Sequence, residues 1–304
     1  MTALTFRPGV MFFPVTAFTD DDRVDAELTS AHITQGVASG AAAVFAACGT
    51  GEFHALSTDE YGIVLRAAVG AVAGEVAVIG GAGGPLGHAV AVARAAQEAG
   101  ADALLVLPPY LVGGTQAGLI AYVERIMDAS ALPVILYHRG QAQFTVDTVR
   151  TLVRDPRVIG IKDGVGDIAL MQQFVLAAHA EGRDDLLFFN GLLTAEASQA
   201  AYRAIGVPRY SSAVFAMAPA ISTAFYRAHE AGDQQAQARL LTEFFMPLVT
   251  LRDTTPGYAV SLIKAGLRHS GVPVGSVRPP LVDPSPAHRD ALAALLDHAA
   301  NTLT

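Results

Sequence analysis

Two lysines stand out among the 20 basic residues of this chain, because the other basic side chains are all arginine. Lysine, unlike arginine, can lose its proton and act as a nucleophile. Lys162 ends the apolar run VIGIK, so its amine is expected to emerge from a packed interior. A free lysine, with a pKa near ~10.4, leaves roughly one neutral amine in 2,500 at pH 7. Desolvation in an apolar barrel can lower that pKa by about three units, and a neutral amine can then attack a ketone to form a Schiff base.

A structural role is the alternative for each of these lysines. Lys162 would then form an ion pair with an inward carboxylate, such as Glu52 or Asp163. Lys264 lies in the middle of the helical pattern PGYAVSLIKAGL, where a packing or helix-end role is favoured. Position along the chain therefore makes Lys162 the candidate nucleophile.

Two further segments could assist a Schiff base. Tyr137 ends the apolar run PVILY, one predicted strand before Lys162, and a phenol there can relay protons. Thr50 lies in the string GTGE, where Gly49 and Gly51 allow backbone amides to approach an anion closely. A buried tyrosine with a satisfied hydroxyl and an ordinary tight turn are the structural alternatives.

Short apolar runs alternate with helical patterns along the chain and would position these residues. The runs lack a period of two, as expected for parallel strands that are buried on both faces. They are Val10–Phe18, Ala42–Cys48, Val76–Gly81, Ala103–Leu107, Pro133–His138, Val158–Lys162, Leu186–Asn190 and Tyr210–Phe215. The helical pattern Thr58–Val72 opens with a capping box in which Glu60 returns a bond to the Ser57 amide.

Eight strand–helix units predict an α/β protein with a (β/α)8 TIM barrel over residues 1–231. Residues 232–304 are predicted to form a C-terminal helical extension that packs on the barrel or makes an oligomer contact. Its helical patterns are Asp233–Leu251, Gly257–Ser270 and Ala287–Leu303. Because the active site of such a barrel lies at the C-terminal ends of the strands, the residues that finish the runs are the site candidates.

Composition excludes several other classes of function. A formal charge of −8 argues against broad binding to nucleic acid or an anionic membrane. We find no run of 18 strongly apolar residues and no signal-peptide pattern, so we expect a cytoplasmic protein without membrane contact. The single Cys48 and the histidine spacing do not support a metal site. The glycine-rich string GGAGG matches no nucleotide-binding pattern, so no cofactor is expected.

Three motifs in order, GTGE, ILY and GIKD, resemble the dihydrodipicolinate synthase and N-acetylneuraminate lyase family of class I aldolase-type barrels. The resemblance covers nearly the whole chain. It implies that Lys162 forms the Schiff base with a 2-oxo acid and that Tyr137 shuttles protons. It also implies that the loop of Gly49, Thr50 and Gly51 holds the α-carboxylate, and that the protein is a homodimer or homotetramer.

Within the family, the strings FFPVTAF, CGTGEFHALS and FFNGLLTAE most resemble members that dehydrate and decarboxylate a 4-deoxy-5-keto sugar diacid to 2,5-dioxopentanoate. Ala142 stands where the synthases have a carboxylate-binding arginine, so we expect Arg139 to take the far end of the substrate. The hydroxyls or the distal carboxylate are expected to bind polar residues that follow the last two strands. These residues are Asn190, Thr194, Ser211 and Ser212.

Two other functions stay open at this point. A retro-aldol lyase acting on a 2-keto-3-deoxy sugar acid would use the same Lys162 and Tyr137 but release pyruvate. The second alternative is a barrel that binds a keto acid as a sensor or scaffold and catalyses no reaction.

Overall fold

A closed barrel of parallel strands forms the centre of the molecule, in a computed structural model that describes residue 4 and residues 6–303. The strands follow one another around the barrel in chain order, so each pairs with the next and the last pairs with the first. They are β1 (Met11–Phe12), β2 (Ala43–Ala46), β3 (Val78–Gly84), β4 (Ala103–Pro109), β5 (Val134–His138), β6 (Val158–Asp163), β7 (Leu187–Asn190) and β8 (Arg209–Ser212). The predicted TIM barrel is confirmed.

Helices alternate with the strands and cover the outside of the barrel. Those of the barrel are α1 (Ala26–Ala38), α2 (Thr58–Val72), α3 (Leu86–Ala99), α4 (Gln116–Met127), α5 (Val146–Val153), α6 (Ile168–Ala180), α7 (Gln199–Ala204), α8 (Val214–Met217) and α9 (Pro219–Ala231). The capping box that opens α2 is present: the Ser57 amide donates to Glu60 Oε2 at 2.9 Å, and the Glu60 amide donates to Ser57 Oγ at 3.2 Å.

The first and last strands are shorter than their apolar runs. β1 covers only Met11–Phe12, whereas the prediction ran from Val10 to Phe18. β8 ends at Ser212, and the following apolar residues form α8 instead of continuing the strand. Apolar runs that leave the sheet still have to be buried, so hydropathy alone does not mark where pairing stops.

Further helices follow α9, and the residues from 232 onward are called the extension. Its helices are α10 (Gln234–Leu240), α11 (Met246–Arg252), α12 (Tyr258–His269) and α13 (Pro286–Thr302). A π-helical turn, Leu241–Phe245, joins α10 to α11 where one continuous helix was predicted. α12 packs against α8 and α13, and α13 also packs against α9, so the extension lies on the barrel.

The sequence predicts no membrane-spanning segment, and the hydropathy of the described helices tests this. No helix within residues 6–303 combines the length and the apolar character needed to cross a bilayer.

Candidate active site

Lys162 lies near the end of β6 with its amine inside the barrel mouth. Its side chain is 5% exposed. The amine nitrogen lies 4.0 Å from the centroid of the Phe13 ring and 4.4 Å from that of Tyr137. Burial lowers the pKa of the Lys162 amine below its ordinary value. In the described part of the chain no carboxylate forms an ion pair with Lys162.

Both carboxylates that were considered as partners of Lys162 are engaged elsewhere. Glu52 Oε1 lies 2.6 Å from the amine of Lys264. Asp163 accepts bonds from the Val165 amide at 2.9 Å and from the Tyr202 hydroxyl. Neither of these two carboxylates therefore pairs with Lys162, and its role as the nucleophile stays a prediction.

The register of β5 and β6 places Tyr137 beside Lys162, since the two residues are direct partners in the parallel pairing. Arg139 Nη1 donates to the Tyr137 hydroxyl at 2.8 Å, and that hydroxyl donates to the Gly191 carbonyl at 3.3 Å. Burial alone would raise the pKa of Tyr137, but the positive charges of Lys162 and Arg139 outweigh it and lower that pKa. A phenol held between two cations is suited to giving up and regaining a proton.

Aromatic side chains pack inside the barrel beside Lys162. The rings of Phe13 and Phe45 stack with centroids 4.5 Å apart, and Phe45 lies 5.7 Å from Phe189. Phe189 is the β7 partner of Lys162 and occupies the same face of the sheet. These rings exclude water from below, which is the physical cause of the lowered lysine pKa.

A cavity of about 460 Å³ opens above Lys162 at the C-terminal ends of the strands. Six of the residues expected from sequence to form the site line it, and the structure brings them together there. They are Gly49, Thr50, Tyr137, Arg139, Lys162 and Ser211. Much of the remaining wall is apolar.

The structure does not bring Asn190 or Ser212 to this cavity. Asn190 pairs in register with Asp163, so its side chain lies on the outer face of the barrel. There its amide donates to the Ala195 carbonyl at 3.1 Å. Ser212 Oγ accepts from the Phe215 amide at 3.3 Å, which ties it to the start of α8.

Gly51 and Thr194 also lie away from the cavity wall. The Gly51 carbonyl accepts from Thr16 Oγ1 at 2.7 Å, so this glycine holds the loop rather than facing the cavity. Thr194 Oγ1 accepts from Arg252 Nη1 at 2.6 Å, which links the segment after β7 to the extension. Both residues support neighbours of the site.

Several wall residues were not expected from sequence. Phe13 and His54 come from the barrel loops, whereas Val260 and Leu281 come from the C-terminal extension. Burial lowers the pKa of His54, although the charge of Glu52 opposes this. The GTGE string lies two residues before His54 and is a signal that could have found it. No local signal marks the extension residues, since only tertiary packing brings them over the barrel mouth.

Gly191 lies against the side chain of Lys162. A Cβ atom built there would lie 2.2 Å from Lys162 Cε. Only a glycine leaves room for the lysine side chain to pass β7.

This arrangement joins three chemical functions in one cavity. Lys162 supplies an amine with a lowered pKa, Tyr137 a phenol that can transfer protons, and Arg139 a fixed positive charge. Such a set is suited to imine chemistry on an anionic carbonyl compound. Nowhere in the described ranges do three histidine, cysteine or acidic side chains gather as metal ligands.

Comparison with known proteins identifies the family. The profile of the dihydrodipicolinate synthetase family matches residues 7–299. This chain belongs to the dihydrodipicolinate synthetase family. The resemblance inferred from the GTGE, ILY and GIKD motifs is thereby confirmed.

Sequence relatives within this family carry a narrower name. The chain is 52% identical over 302 residues to a protein of Streptomyces griseus named probable 5-dehydro-4-deoxyglucarate dehydratase, with 96% of this chain and 94% of that protein covered. A protein of Paracidovorax citrulli with the same name is 43% identical, with 95% and 94% covered. These names agree with the family branch that the sequence motifs indicated.

Solved structures show the same fold. Dihydrodipicolinate synthase from Oceanobacillus iheyensis superimposes with a TM-score of 0.88 at 24% identity, and 96% of each chain is covered. YagE from E. coli K12, a family member described in complex with pyruvate, gives a TM-score of 0.83 at 26% identity. That comparison covers 96% of this chain and 98% of YagE.

Proposed function

We propose that this protein is a Schiff-base-forming 5-dehydro-4-deoxyglucarate dehydratase that releases water and CO2 and yields 2,5-dioxopentanoate. The observation that carries the proposal is the buried amine of Lys162, which has no carboxylate partner in the described structure and faces a cavity beside Tyr137 and Arg139. Relatives about half identical to the chain, named for this reaction, support the choice of substrate.

In the first step Lys162 attacks the C5 ketone, and water leaves to form an iminium ion. The loop of Gly49 and Thr50 holds the carboxylate next to that ketone. The iminium ion accepts the electron pair freed when a C4 proton leaves, which gives an enamine. Tyr137, with its lowered pKa, or a neighbouring base takes that proton.

The enamine then expels the C3 hydroxyl group, which leaves with a proton as water. The product is a conjugated iminium ion, and it draws in the electrons of the C1–C2 bond as the C1 carboxylate departs as CO2. Protonation and hydrolysis by one water release 2,5-dioxopentanoate and free Lys162. The water used in hydrolysis balances the water lost on imine formation, so the net loss is one water and one CO2.

Arg139 is proposed to orient the substrate through its charge and through its bond to the Tyr137 hydroxyl. Ser211, which lines the same cavity, is the remaining hydroxyl proposed to contact the substrate directly. Asn190, Thr194, Ser212 and Gly51 are proposed to act through the groups that they hold. The cytoplasmic location and the dimeric or tetrameric assembly stay predictions from sequence.

Borohydride reduction in the presence of the keto-deoxy diacid, followed by peptide mass analysis, tests the proposal. We expect one adduct, confined to the peptide that contains Lys162, together with release of CO2 from untrapped substrate. Pyruvate and an aldehyde in place of CO2 would identify a retro-aldol lyase. An adduct without any product would identify a barrel that binds keto acids only.

A further inference from the structure

We propose that the buried ion pair of Glu52 and Lys264 positions the loop of Gly49 and Thr50 and thereby sets the affinity for the substrate carboxylate. This inference rests on the proposed function, because that function assigns the loop its ligand. The pair and the extension segment 276–278 that holds it are called the clasp below. Lys264 is then a positioning residue for the reaction, beyond the packing role favoured by its place in the sequence.

The ion pair at the centre of the clasp is fully buried. Glu52 and Lys264 both have 0% side-chain exposure, and their charged atoms lie 2.6 Å apart. The second oxygen of Glu52 accepts from the Arg278 amide at 2.8 Å. The Lys264 amine also donates to the Ser276 carbonyl at 2.9 Å. Both members of the pair are therefore bound to the same extension segment.

Arg278 extends this attachment to the residues that follow the loop. Its Nη1 donates to the Ala55 carbonyl at 3.0 Å, and its Nη2 bonds Glu60 Oε1 at 2.7 Å. The Phe18 ring lies between the two cations, 4.0 Å from the Lys264 amine and 4.1 Å from the Arg278 guanidinium. The extension thus holds Glu52 and the chain that follows it.

The loop needs such support because of its backbone. Glu52 has φ 56° and ψ 40°, a left-handed conformation that non-glycine residues seldom adopt. A residue in this conformation persists only when its surroundings over-determine it. The preceding Gly51 carbonyl accepts from Thr16 Oγ1 at 2.7 Å, so the two residues that follow Thr50 are held by the barrel and by the clasp.

Removing one member of a buried ion pair leaves the other charge uncompensated, so the local structure must rearrange to reach water or a new partner. The Glu52 amide donates to the Gly49 carbonyl at 3.2 Å, so a shift of residue 52 is passed directly to the loop. A carboxylate held by this loop is present both in the bound substrate and in the transition state. Displacing the loop should therefore raise KM far more than it lowers kcat.

The test uses Lys264→Met, which keeps an unbranched side chain of similar volume and removes the charged amine. With the keto-deoxy diacid we expect KM to rise roughly 10- to 10²-fold, the scale of losing one hydrogen bond to a charged group, while kcat changes little. The concentration of pyruvate needed for half-maximal borohydride trapping at Lys162 should rise by a similar factor. Glu52→Gln is the second variant and should show the same separation of KM from kcat.

Leu292→Ala is the matched control, because Leu292 is buried in α13 of the same extension and is not part of the clasp. It should lower Tm but leave KM and the pyruvate dependence unchanged. If Lys264→Met is insoluble, Glu52→Gln decides by the same criteria.

Two results would overturn the proposal. One is a clasp variant with lowered Tm but wild-type KM and pyruvate dependence, and the other is an equal rise of KM in Leu292→Ala. Failure of the wild-type protein to convert the diacid would refute the proposed function alone. The pyruvate trapping series would still decide the role of the clasp.

Discussion

Replacing Gly191 by alanine should damage the reaction through the lysine side chain. The new Cβ atom would lie 2.2 Å from Lys162 Cε, 2.6 Å from Lys162 Cγ and 2.8 Å from the Asp163 carbonyl. Ordinary van der Waals contact begins at 3.4 Å. The strand backbone of β6 cannot retreat easily because it is paired on both sides, so the flexible lysine must move by about 1 Å.

A misplacement of about 1 Å at a reacting group costs on the order of 10²-fold in rate. That factor corresponds to about 2.7 kcal/mol of transition-state stabilisation. We expect Gly191→Ala to lose this amount in kcat/KM and to trap 2-oxo acids at Lys162 more slowly under borohydride. Steady-state kinetics and peptide mass analysis measure the two effects.

Gly70→Ala is the matched control for this substitution. Gly70 lies in α2, and a Cβ atom built there meets nothing within 4 Å. Alanine should stabilise the helix by roughly 0.5–1 kcal/mol and leave kcat/KM unchanged. If Gly191→Ala kept wild-type kcat/KM and trapping rates, the close approach would not constrain the lysine and the reasoning would be refuted.

Three further predictions concern proton transfer and pH. Tyr137→Phe should lower kcat by about 10²- to 10⁴-fold while Lys162 still forms a reducible adduct; loss of the adduct would contradict a proton-shuttle role. Because burial lowers the pKa of Lys162, kcat/KM should rise with pH to a half-maximum below 10.5, and an inflection at or above that value would argue against a buried nucleophile. Burial also raises the pKa of Glu196 from 4.5 to about 7, so its neutral form stabilises the fold below pH 4.5 and that stability is lost as pH rises through 7. Glu196→Gln should remove up to about 3 kcal/mol from the difference in the free energy of unfolding between pH 4.5 and pH 8, as measured with urea. An unchanged difference would show that Glu196 does not titrate in this range.

The barrel and its strand ends were predictable because both follow from local patterns. Apolar runs without alternation indicate strands buried on both faces, and their ends indicate the side of the barrel that carries chemistry. Lys162 and Tyr137 were placed at that side by this reasoning alone. The strand boundaries were less accurate, since the apolar residues after Ser212 are buried as a helix and not as a strand.

The orientation of side chains at the strand ends required the register. Asn190 and Ser211 were both predicted to bind the substrate because each lies near the end of a strand. Ser211 lines the cavity, whereas Asn190 lies on the outer face of the barrel. One residue along a strand reverses the face to which a side chain belongs. The sequence shows where an apolar run lies but not the residue at which strand pairing begins. Counting along the run therefore cannot decide which side chains face the cavity.

The sequence by itself determined the alternation of strands and helices, the closed barrel and the rarity of lysine, because these depend on composition and on neighbours along the chain. Only the tertiary structure decided that Lys162 has no carboxylate partner among the described residues while Glu52 binds Lys264, some 200 residues away in sequence. It alone also decided that the extension contributes Val260 and Leu281 to the cavity wall. The physical reason is that charge pairing and cavity shape depend on distances in space between segments far apart in the chain, and no local pattern encodes them.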